Sequence, residues 1–256
     1  MMPKELLDPN MSDALDDLRN RDEPFAVATI VRTAGLTAAK PGAKALLRAD
    51  GTIIHGWLGG GCTKSAVAKA ALQSIQDGQP QLVSIAPEDE LEERAGVHLA
   101  KNGCPSKGTI DVFVEPWVPR PELVIFGTSP VATALIALAR GFDWDVTQPD
   151  ETYQPKETNR RRVIVVATQG QGDLTALKQS LSPPSDHVAF VGSRKKYATL
   201  ATKLADAGIP KTQIDAVEAP AGLDIGAVTP EEIALSILAK LTQVRRQALK
   251  GIKVHG

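Results

Sequence analysis

Short apolar runs separated by turn residues dominate the first half of the chain, and this pattern predicts strands rather than a helical bundle. Asp50-Gly51 is typical of a hairpin turn between two of these runs. An apolar stripe among acids and lysines predicts a first helix over residues 4–21, and an alanine-rich run predicts a second over 65–75. Strands are predicted over residues 25–31, 43–47, 52–58, 81–85 and 109–114.

In the second half, fully apolar runs alternate with helical patterns. The segment Thr229-Pro230-Glu231-Glu232 is a capping box with proline at the first helical position, so it predicts the start of a long helix. Alternating strands and helices indicate parallel strands in a doubly wound sheet. The predicted strands cover residues 123–126, 144–147, 163–167 and 187–191, and further helices are predicted over 131–140 and from residue 197 to 207.

The segment EPWVPRP at residues 115–121 holds three prolines in seven residues and is the best candidate for a linker between domains. We therefore expect an α/β protein of two domains. The first, residues 1–118, is an α+β domain with a glycine-rich cysteine loop. The second, residues 119–256, is a Rossmann-type domain with a doubly wound parallel sheet.

Composition narrows the function classes. The 29 lysines and arginines nearly balance the 30 aspartates and glutamates, which argues against a general nucleic-acid-binding or membrane-surface protein. Two cysteines in 256 residues do not make a disulfide framework, so a reducing compartment is expected. The N-terminal residues lack a signal-peptide pattern, and the longest apolar stretches are too short to span a membrane. We expect a cytoplasmic protein.

The first candidate site is the segment Gly59-Gly60-Gly61-Cys62-Thr63, which joins a predicted strand to a predicted helix. Glycines let a ligand approach the backbone closely, and the first amides of a helix have no internal acceptor. These amides and the helix dipole attract an anion, and the same field favours the thiolate form of Cys62. The alternative is a glycine-rich turn that holds a small buried cysteine.

The second candidate site follows the first strand of the Rossmann-type domain, where Gly127-x-Ser129-x-x-Ala132 stands in place of a dinucleotide fingerprint. Only the first glycine of that fingerprint is present, which weakens standard NAD recognition. Asp145 and Asp150 lie near the position of an acid that would hold a ribose, although Gln148 stands at the predicted strand end. A phosphate at the helix N-terminus remains compatible with this sequence.

Two further loops are expected at the carboxyl ends of the strands, where ligands bind in open parallel sheets. One is Thr168-Gln169-Gly170; the other, Gly192-Ser193-Arg194, continues into two lysines. Arg194 and the lysines suit a phosphate, although they could also form a solvated first helical turn. Asp224, in a glycine-flanked loop, binds ligand or fixes the turn.

The remaining cysteine and the histidines suggest no metal centre. Cys104 lies far from Cys62 in the sequence, without the close pairing of a zinc or iron–sulfur site, and we predict a structural role for it. The four histidines, His55, His98, His187 and His255, form no metal-spacing pair.

Several short motifs follow one another in a specific order along nearly the whole chain. They are ATIVRT at 28–33, KPGAK at 40–44, GWLGGGC at 56–62, DVFVEP at 111–116, LVIFG at 123–127, VGSRKK at 191–196, GLDIGA at 222–227 and TPEEIA at 229–234. In this order they make the chain resemble the XdhC/CoxI family, accessory proteins for molybdenum-containing hydroxylases. Two further motifs, GCPS at 103–106 and GTSPVA at 127–132, are closer to the CoxI-like branch.

This resemblance implies a cysteine-bearing N-terminal domain and a Rossmann-type C-terminal domain. It also implies that the protein binds the molybdenum cofactor, as molybdopterin or its dinucleotide form, and assists its sulfuration and delivery to an apo molybdenum hydroxylase. Cys62 matches the family's glycine-cluster cysteine and would contact the metal or its sulfur. A cysteine desulfurase and a second copy of the chain are further candidate partners. The sequence departs from the family where residues 35–39 lack the usual Pro-Arg pair, and in its incomplete dinucleotide fingerprint.

Three function hypotheses follow. The first is a maturation chaperone that holds and releases the molybdenum cofactor rather than turning over a substrate, with Cys62 as its reactive group. The second is an NAD(P)-dependent oxidoreductase, which the alternating strands favour, while the incomplete fingerprint and the lack of an acid–base constellation oppose it. The third is a thiol-based interaction module without a small ligand.

Overall fold

The structure is a computed structural model that describes residues 9–103, 108–150, 153 and 158–250, with the side chains of 248–250 excepted. The chain divides into two compact units. The N-terminal unit comprises Met1–Pro119 together with Leu249–Gly256, and the C-terminal unit comprises Arg120–Ala248. The predicted helical residues 4–8 and Cys104 lie outside the described residues.

The N-terminal unit is built on a six-stranded mixed sheet in the order β3-β2-β1-β6-β4-β5. All neighbouring strands are antiparallel except β4 and β5, which are parallel. The predicted hairpin joins β2 to β3. The helices and strands of the N-terminal unit are α1 (Pro9–Asn20), β1 (Phe25–Ala34), β2 (Lys44–Arg48), β3 (Ile53–Gly56), α2 (Gly61–Asp77), β4 (Gln81–Ala86), β5 (Val97–Lys101) and β6 (Thr109–Trp117).

Alternation along β1 sends its side chains to two different apolar layers. Ala26, Ala28 and Ile30 pack with the buried face of α2, which carries Val67 and Ala71. Phe25 and Val27, on the other side of the strand, pack with the apolar stripe of α1. The sheet therefore has α2 on one face and α1 at one end of the opposite face. At the other end of the face that carries α1, the sheet bears polar residues.

The C-terminal unit has a four-stranded, fully parallel sheet in the order β10-β9-β7-β8. Helices α3 and α7 share one apolar layer with the sheet, and α4, α5 and α6 share the other. This doubly wound arrangement confirms the predicted Rossmann-type fold, and the strand order reverses between β7 and β9. The helices and strands of the C-terminal unit are β7 (Glu122–Phe126), α3 (Pro130–Ala139), β8 (Asp145–Thr147), β9 (Arg162–Val166), α4 (Asp173–Leu181), β10 (His187–Phe190), α5 (Arg194–Asp206), α6 (Lys211–Asp215) and α7 (Pro230–Lys250).

Several predicted boundaries were wrong. Helix α2 begins at Gly61, so Cys62 lies inside the helix and not before it, and β3 ends at Gly56. Strand β6 continues to Trp117, into the predicted linker, because that indole stacks on Phe25 with ring centroids 5.0 Å apart. Strand β5 was missed because its pairing with β4 is a tertiary contact that its short sequence, VHLAK, does not reveal.

No helix among the described residues combines the length and the apolar character that crossing a membrane requires.

Candidate functional site

The glycine cluster of the N-terminal unit leads from β3 to an uncapped helix. At Gly56 the φ angle is +81°, and a Cβ there would lie 2.0 Å from the Lys44 carbonyl oxygen, so only glycine fits. Gly60 is the N-cap of α2 and provides no side-chain hydrogen bond. Among the described residues, no side chain therefore accepts from the amides of Gly61, Cys62 and Thr63, which are left for a ligand.

Cys62 is the second residue of α2 and is partly exposed, so its thiol is not sealed in the core. A Cβ built on Gly61 would meet nothing within 4 Å, which shows open space beside the helix start. A Cβ built on Gly103 would lie 3.5 Å from the Cys62 Sγ, so the segment after β5 passes close to the thiol. Thr63 is buried and packs near Gly59, so its side chain supports the turn rather than facing the open space.

A polar cluster lies at the same end of this sheet. The Nε of Arg32 donates to Asp111 Oδ2 at 2.6 Å, and Ser84 Oγ lies 2.6 Å from Asp111 Oδ1. Burial raises the pKa of Asp111, but the hydrogen bonds from Arg32 and Ser84 outweigh burial and hold it below the ordinary value. Sequence reasoning missed this cluster because its three residues come from three different strands.

Topology places this cluster at the same end of the sheet as Cys62. Helix α2 runs back to the start of β4, so its first turn lies near the end of β4, where β1 also ends and β6 begins. Ile110 and Val112 of β6 pack towards α2. Asp111, between them, therefore lies on the opposite face of the sheet from α2, because successive side chains of a strand alternate.

In the C-terminal unit, Gly127 closes the turn after β7. Its φ angle is +107°, and a Cβ there would lie 2.5 Å from the carbonyl oxygen of Ala167, so the ends of β7 and β9 are in tight contact. The Nε2 of Gln148 donates to the Gly127 carbonyl at 2.8 Å. A neutral amide therefore occupies the end of β8, where a dinucleotide-binding protein would carry an acid.

Of the two acids predicted to lie near the ribose position, Asp145 lies at the wrong end of β8. Asp145 is the first residue of β8 and forms an ion pair with Arg160, so it lies at the amino end of the strand, away from the crevice. Asp150 is exposed beyond the strand end.

The start of helix α3 has few free amides for an anion. Ser129 is its N-cap and accepts from the Ala132 amide at 3.1 Å, while Pro130, at the first helical position, has no N–H. Of the first three helical positions, this leaves the amide of Val131 for a ligand. The side chain of Ser129, predicted as a cofactor contact, serves as a helix cap in the structure and is largely buried.

Helix α5 also carries its own cap, because Ser193 Oγ accepts from the Lys196 amide at 3.2 Å. Lys196 Nζ lies 2.6 Å from Asp173 Oδ2, so this lysine already has an anionic partner. Arg194 and Lys195 are exposed in the same turn and remain for a phosphate. Gly192 approaches the Phe190 ring so closely that a Cβ there would lie 2.4 Å from a ring carbon.

Asp173, which sequence reasoning did not single out, connects the loop after β9 to α5. Its Oδ1 accepts from the Thr168 hydroxyl and, at 2.9 Å, from the Gly170 amide. Burial raises the pKa of this carboxyl, but hydrogen bonds from Lys196, Thr168 and Gly170 outweigh burial and hold it below the ordinary value.

The structure thus groups the predicted residues by unit. Gly59 to Thr63 surround the start of α2, whereas Gly127, Ser129, Gly192, Ser193 and Arg194 follow the carboxyl ends of parallel strands. Asp224 is exposed on a loop that follows the parallel bridge between Glu218 and Ala189, and no hydrogen bond among the described residues involves its side chain. No three His, Cys, Asp or Glu residues of the described ranges converge into a metal site.

Comparison with known proteins gives two family matches. The model of the XdhC and CoxI family matches residues 18–86, and that of the XdhC Rossmann domain matches residues 123–241. One matching region lies in each structural unit.

Two curated proteins and one solved structure are similar to this chain. Uncharacterized protein YqeB of Escherichia coli (strain K12) is 29% identical over 259 residues, which cover 92% of this chain and 46% of that protein. A probable xanthine dehydrogenase component of Bacillus subtilis (strain 168) is 27% identical over 163 residues, covering 54% of this chain and 47% of that protein. The chain thus spans about half the length of these curated relatives. A crystal structure of a xanthine dehydrogenase from Bacillus halodurans matches with a TM-score of 0.42 and 21% identity, covering 94% of this chain and 97% of that one.

Proposed function

The chain belongs to the XdhC and CoxI family, and on this premise we propose that it is an accessory protein for a molybdenum hydroxylase of the xanthine dehydrogenase or CO dehydrogenase type. It binds the molybdenum cofactor, assists its sulfuration and delivers it to the apo-hydroxylase, with a cysteine desulfurase as the sulfur source. A related protein named as a probable xanthine dehydrogenase component supports this partner class.

The observation that carries the proposal is the start of α2. A partly exposed thiol lies in the first turn of a helix whose first three amides have no side-chain acceptor among the described residues, and a Cβ built on Gly61 meets nothing within 4 Å. Thiolate sulfur is a soft ligand, and uncapped amides hold phosphate oxygens. These donors suit a cofactor that combines a sulfur-bound metal with a phosphate. When bound, the cofactor supplies the molybdenum centre.

The residues of the chain have separable roles in this proposal. Cys62 contacts the metal or its sulfur, and the amides of Gly61, Cys62 and Thr63 hold an anionic group. No cluster of three metal-ligating side chains exists among the described residues, so Cys62 is the one ligand that this proposal assigns to the chain. In the C-terminal unit, Arg194 and Lys195 offer charge to a phosphate at the carboxyl edge of the sheet.

The test compares the parent protein with Cys62→Ser and with Ser65→Ala, a control that changes an exposed side chain of the same helix. Each protein is purified without oxygen from cells that make the cofactor, and molybdenum and pterin are measured per chain. We expect both in the parent and in Ser65→Ala, and at least a ten-fold loss of molybdenum in Cys62→Ser, because a hydroxyl is a poor ligand for a soft metal site.

Two results would overturn the proposal. One is a parent protein that carries neither molybdenum nor pterin under these conditions. The other is a Cys62→Ser protein that retains the full molybdenum content, which would show that the thiol does not bind the metal or its sulfur.

A further inference from the structure

Gln169 adopts a backbone conformation that side chains other than glycine rarely adopt. Its φ angle is +53°, and among the described residues Asp22, with a φ angle of +54°, is the only other non-glycine residue in this region. Asp22 follows the end of α1 in a turn, where such angles are common. Gln169 instead follows β9, one of the two strands between which the order of the sheet reverses.

The surrounding residues hold this conformation in place. Asp173 accepts hydrogen bonds from Thr168 and from the Gly170 amide, the residues on either side of Gln169, and pairs with Lys196. Asp173 is 7% exposed, so a buried carboxylate holds the loop through these hydrogen bonds. Glycine would adopt the same backbone without strain, as Gly170 and Gly172 do in this loop. The strained position therefore carries a side chain that the turn itself does not need.

The location of Gln169 is where a doubly wound sheet binds its ligand. The crevice lies beyond the carboxyl ends of β7 and β9, and Gln169 is exposed there. Another glutamine of this edge, Gln148, is already hydrogen-bonded to the Gly127 carbonyl. The carboxamide of Gln169 presents a donor beside an acceptor, a pair that matches the edge of a heterocyclic base in two hydrogen bonds.

We propose that Gln169 is a ligand-contacting residue whose carboxamide binds a heterocycle edge with a donor beside an acceptor, as in the pterin ring of the cofactor. This inference rests on the proposed function and adds a specificity residue in the C-terminal unit. The contacts of Asp173 with Thr168, Gly170 and Lys196 hold the loop in the strained conformation, which places Gln169 at the crevice.

The test uses Gln169→Gly, with Asp22→Gly as the matched control. Both substitutions remove strain at a closely similar φ angle, and Gln169→Gly should not lower the urea midpoint of unfolding. A 6-substituted pterin monophosphate is titrated by its fluorescence, with inorganic phosphate as a second probe. We expect Gln169→Gly to weaken pterin phosphate binding about ten-fold and to leave phosphate binding unchanged, because the lost contacts are to the ring. Asp22→Gly should bind both probes like the parent.

Gln169→Asn is the second variant. Asparagine tolerates the left-handed region, so the fold should keep its stability, while the shorter side chain no longer reaches the ring. Unchanged pterin phosphate binding in both Gln169 variants, or a parent that does not bind pterin phosphate, would overturn the inference. Molybdenum and pterin content separates the two proposals: if the parent carries cofactor and Gln169→Gly carries as much, only the inference on Gln169 fails.

Discussion

Helix α2 of the N-terminal unit and helices α3 and α5 of the C-terminal unit each begin after a strand and its turn, but they differ in whether a side chain caps their first amides. In the N-terminal unit, α2 begins after a glycine that caps nothing. In the C-terminal unit, Ser129 and Ser193 cap α3 and α5 from within the chain. A helix start attracts an anion only to the extent that its amides are still free. Among these three helices, α2 therefore leaves the most amides without a side-chain acceptor in the described residues, although the Rossmann-type unit has the fold usually associated with phosphate binding. Helix α4, whose N-cap is Gly172, also lacks a side-chain cap.

Gly127 and Gly61 differ in whether packing requires a glycine at their positions. Gly127 is required by packing, since its φ angle is positive and the Ala167 carbonyl fills the space a Cβ would need. Gly61 has no neighbour within 4 Å of a Cβ, so packing does not require it. A glycine that packing does not require, beside a partly exposed thiol, leaves room for a ligand.

Gly127→Ala should produce the largest effect. Strain at positive φ and the contact with Ala167 together should lower the free energy of unfolding by about 3 kcal/mol or more. Gly61→Ala should change it by less than about 1 kcal/mol, because alanine is a good helix former and meets no neighbour. Urea unfolding of both variants measures the difference. Equal losses of stability in the two variants would show that packing does not require glycine at position 127 more than at position 61.

The two buried carboxylates permit a second test, through pH. Asp111 and Asp173 both have a pKa below the ordinary value, so each stabilises the folded state above about pH 4, where the unfolded carboxyl is ionised. This contribution is lost as the pH falls through the lower folded pKa. Lys196 is less exposed than Arg32, so the ion pair of Asp173 should contribute more.

Asp173→Asn should therefore cost about 2 kcal/mol at pH 7, and Asp111→Asn about 1 kcal/mol. Both differences from the parent should shrink as the pH falls from 5 to 2, because the parent's own carboxyl becomes neutral. Urea unfolding at several pH values measures this. A difference that stays constant down to pH 2 would mean that the charge of the carboxylate contributes nothing.

The smallest effects concern the helix caps themselves. Ser129→Ala should lower the free energy of unfolding by about 1 kcal/mol, because the Ala132 amide loses its acceptor. Gly60→Ser should raise it by a few tenths of a kcal/mol, since the φ angle of −75° at Gly60 suits serine as a cap. The new cap should also weaken phosphate binding at α2, as measured by calorimetric titration. If Gly60→Ser binds phosphate as the parent does, the free amides of α2 are not the anion site.

Much of the fold was predictable because its local features identify it. The capping box at the start of α7 is present as predicted, with Glu232 accepting from the Thr229 amide at 3.0 Å and Thr229 Oγ1 from the Glu232 amide at 3.3 Å. The hairpin turn at Asp50-Gly51 is present too, with Asp50 accepting from the Thr52 amide at 2.8 Å. Helix α4 was missed because its start has no serine or threonine cap, only Gly172.

The candidate site was predictable only in outline. The glycine cluster, Gly127 and the loop before α5 were found from composition and position. Asp111 and Asp173 were not, because a carboxylate in a strand or an ordinary helix start has no distinctive sequence pattern until its partners are known. Ser129 and Ser193 were predicted to contact a cofactor, whereas the structure shows them as helix caps.

The sequence by itself determined the hairpin turn at Asp50-Gly51, the start of α7, that a parallel sheet forms in the second half and which family the motifs resemble. These properties depend on neighbouring residues, through backbone preferences and the period of apolar positions. Only the tertiary structure decided which helix amides stay free, which carboxylates are buried and ionised, and that Gln169 is held in a strained conformation at the crevice. Those outcomes depend on residues far apart in the sequence, whose interaction energies arise only once the chain has brought them into contact.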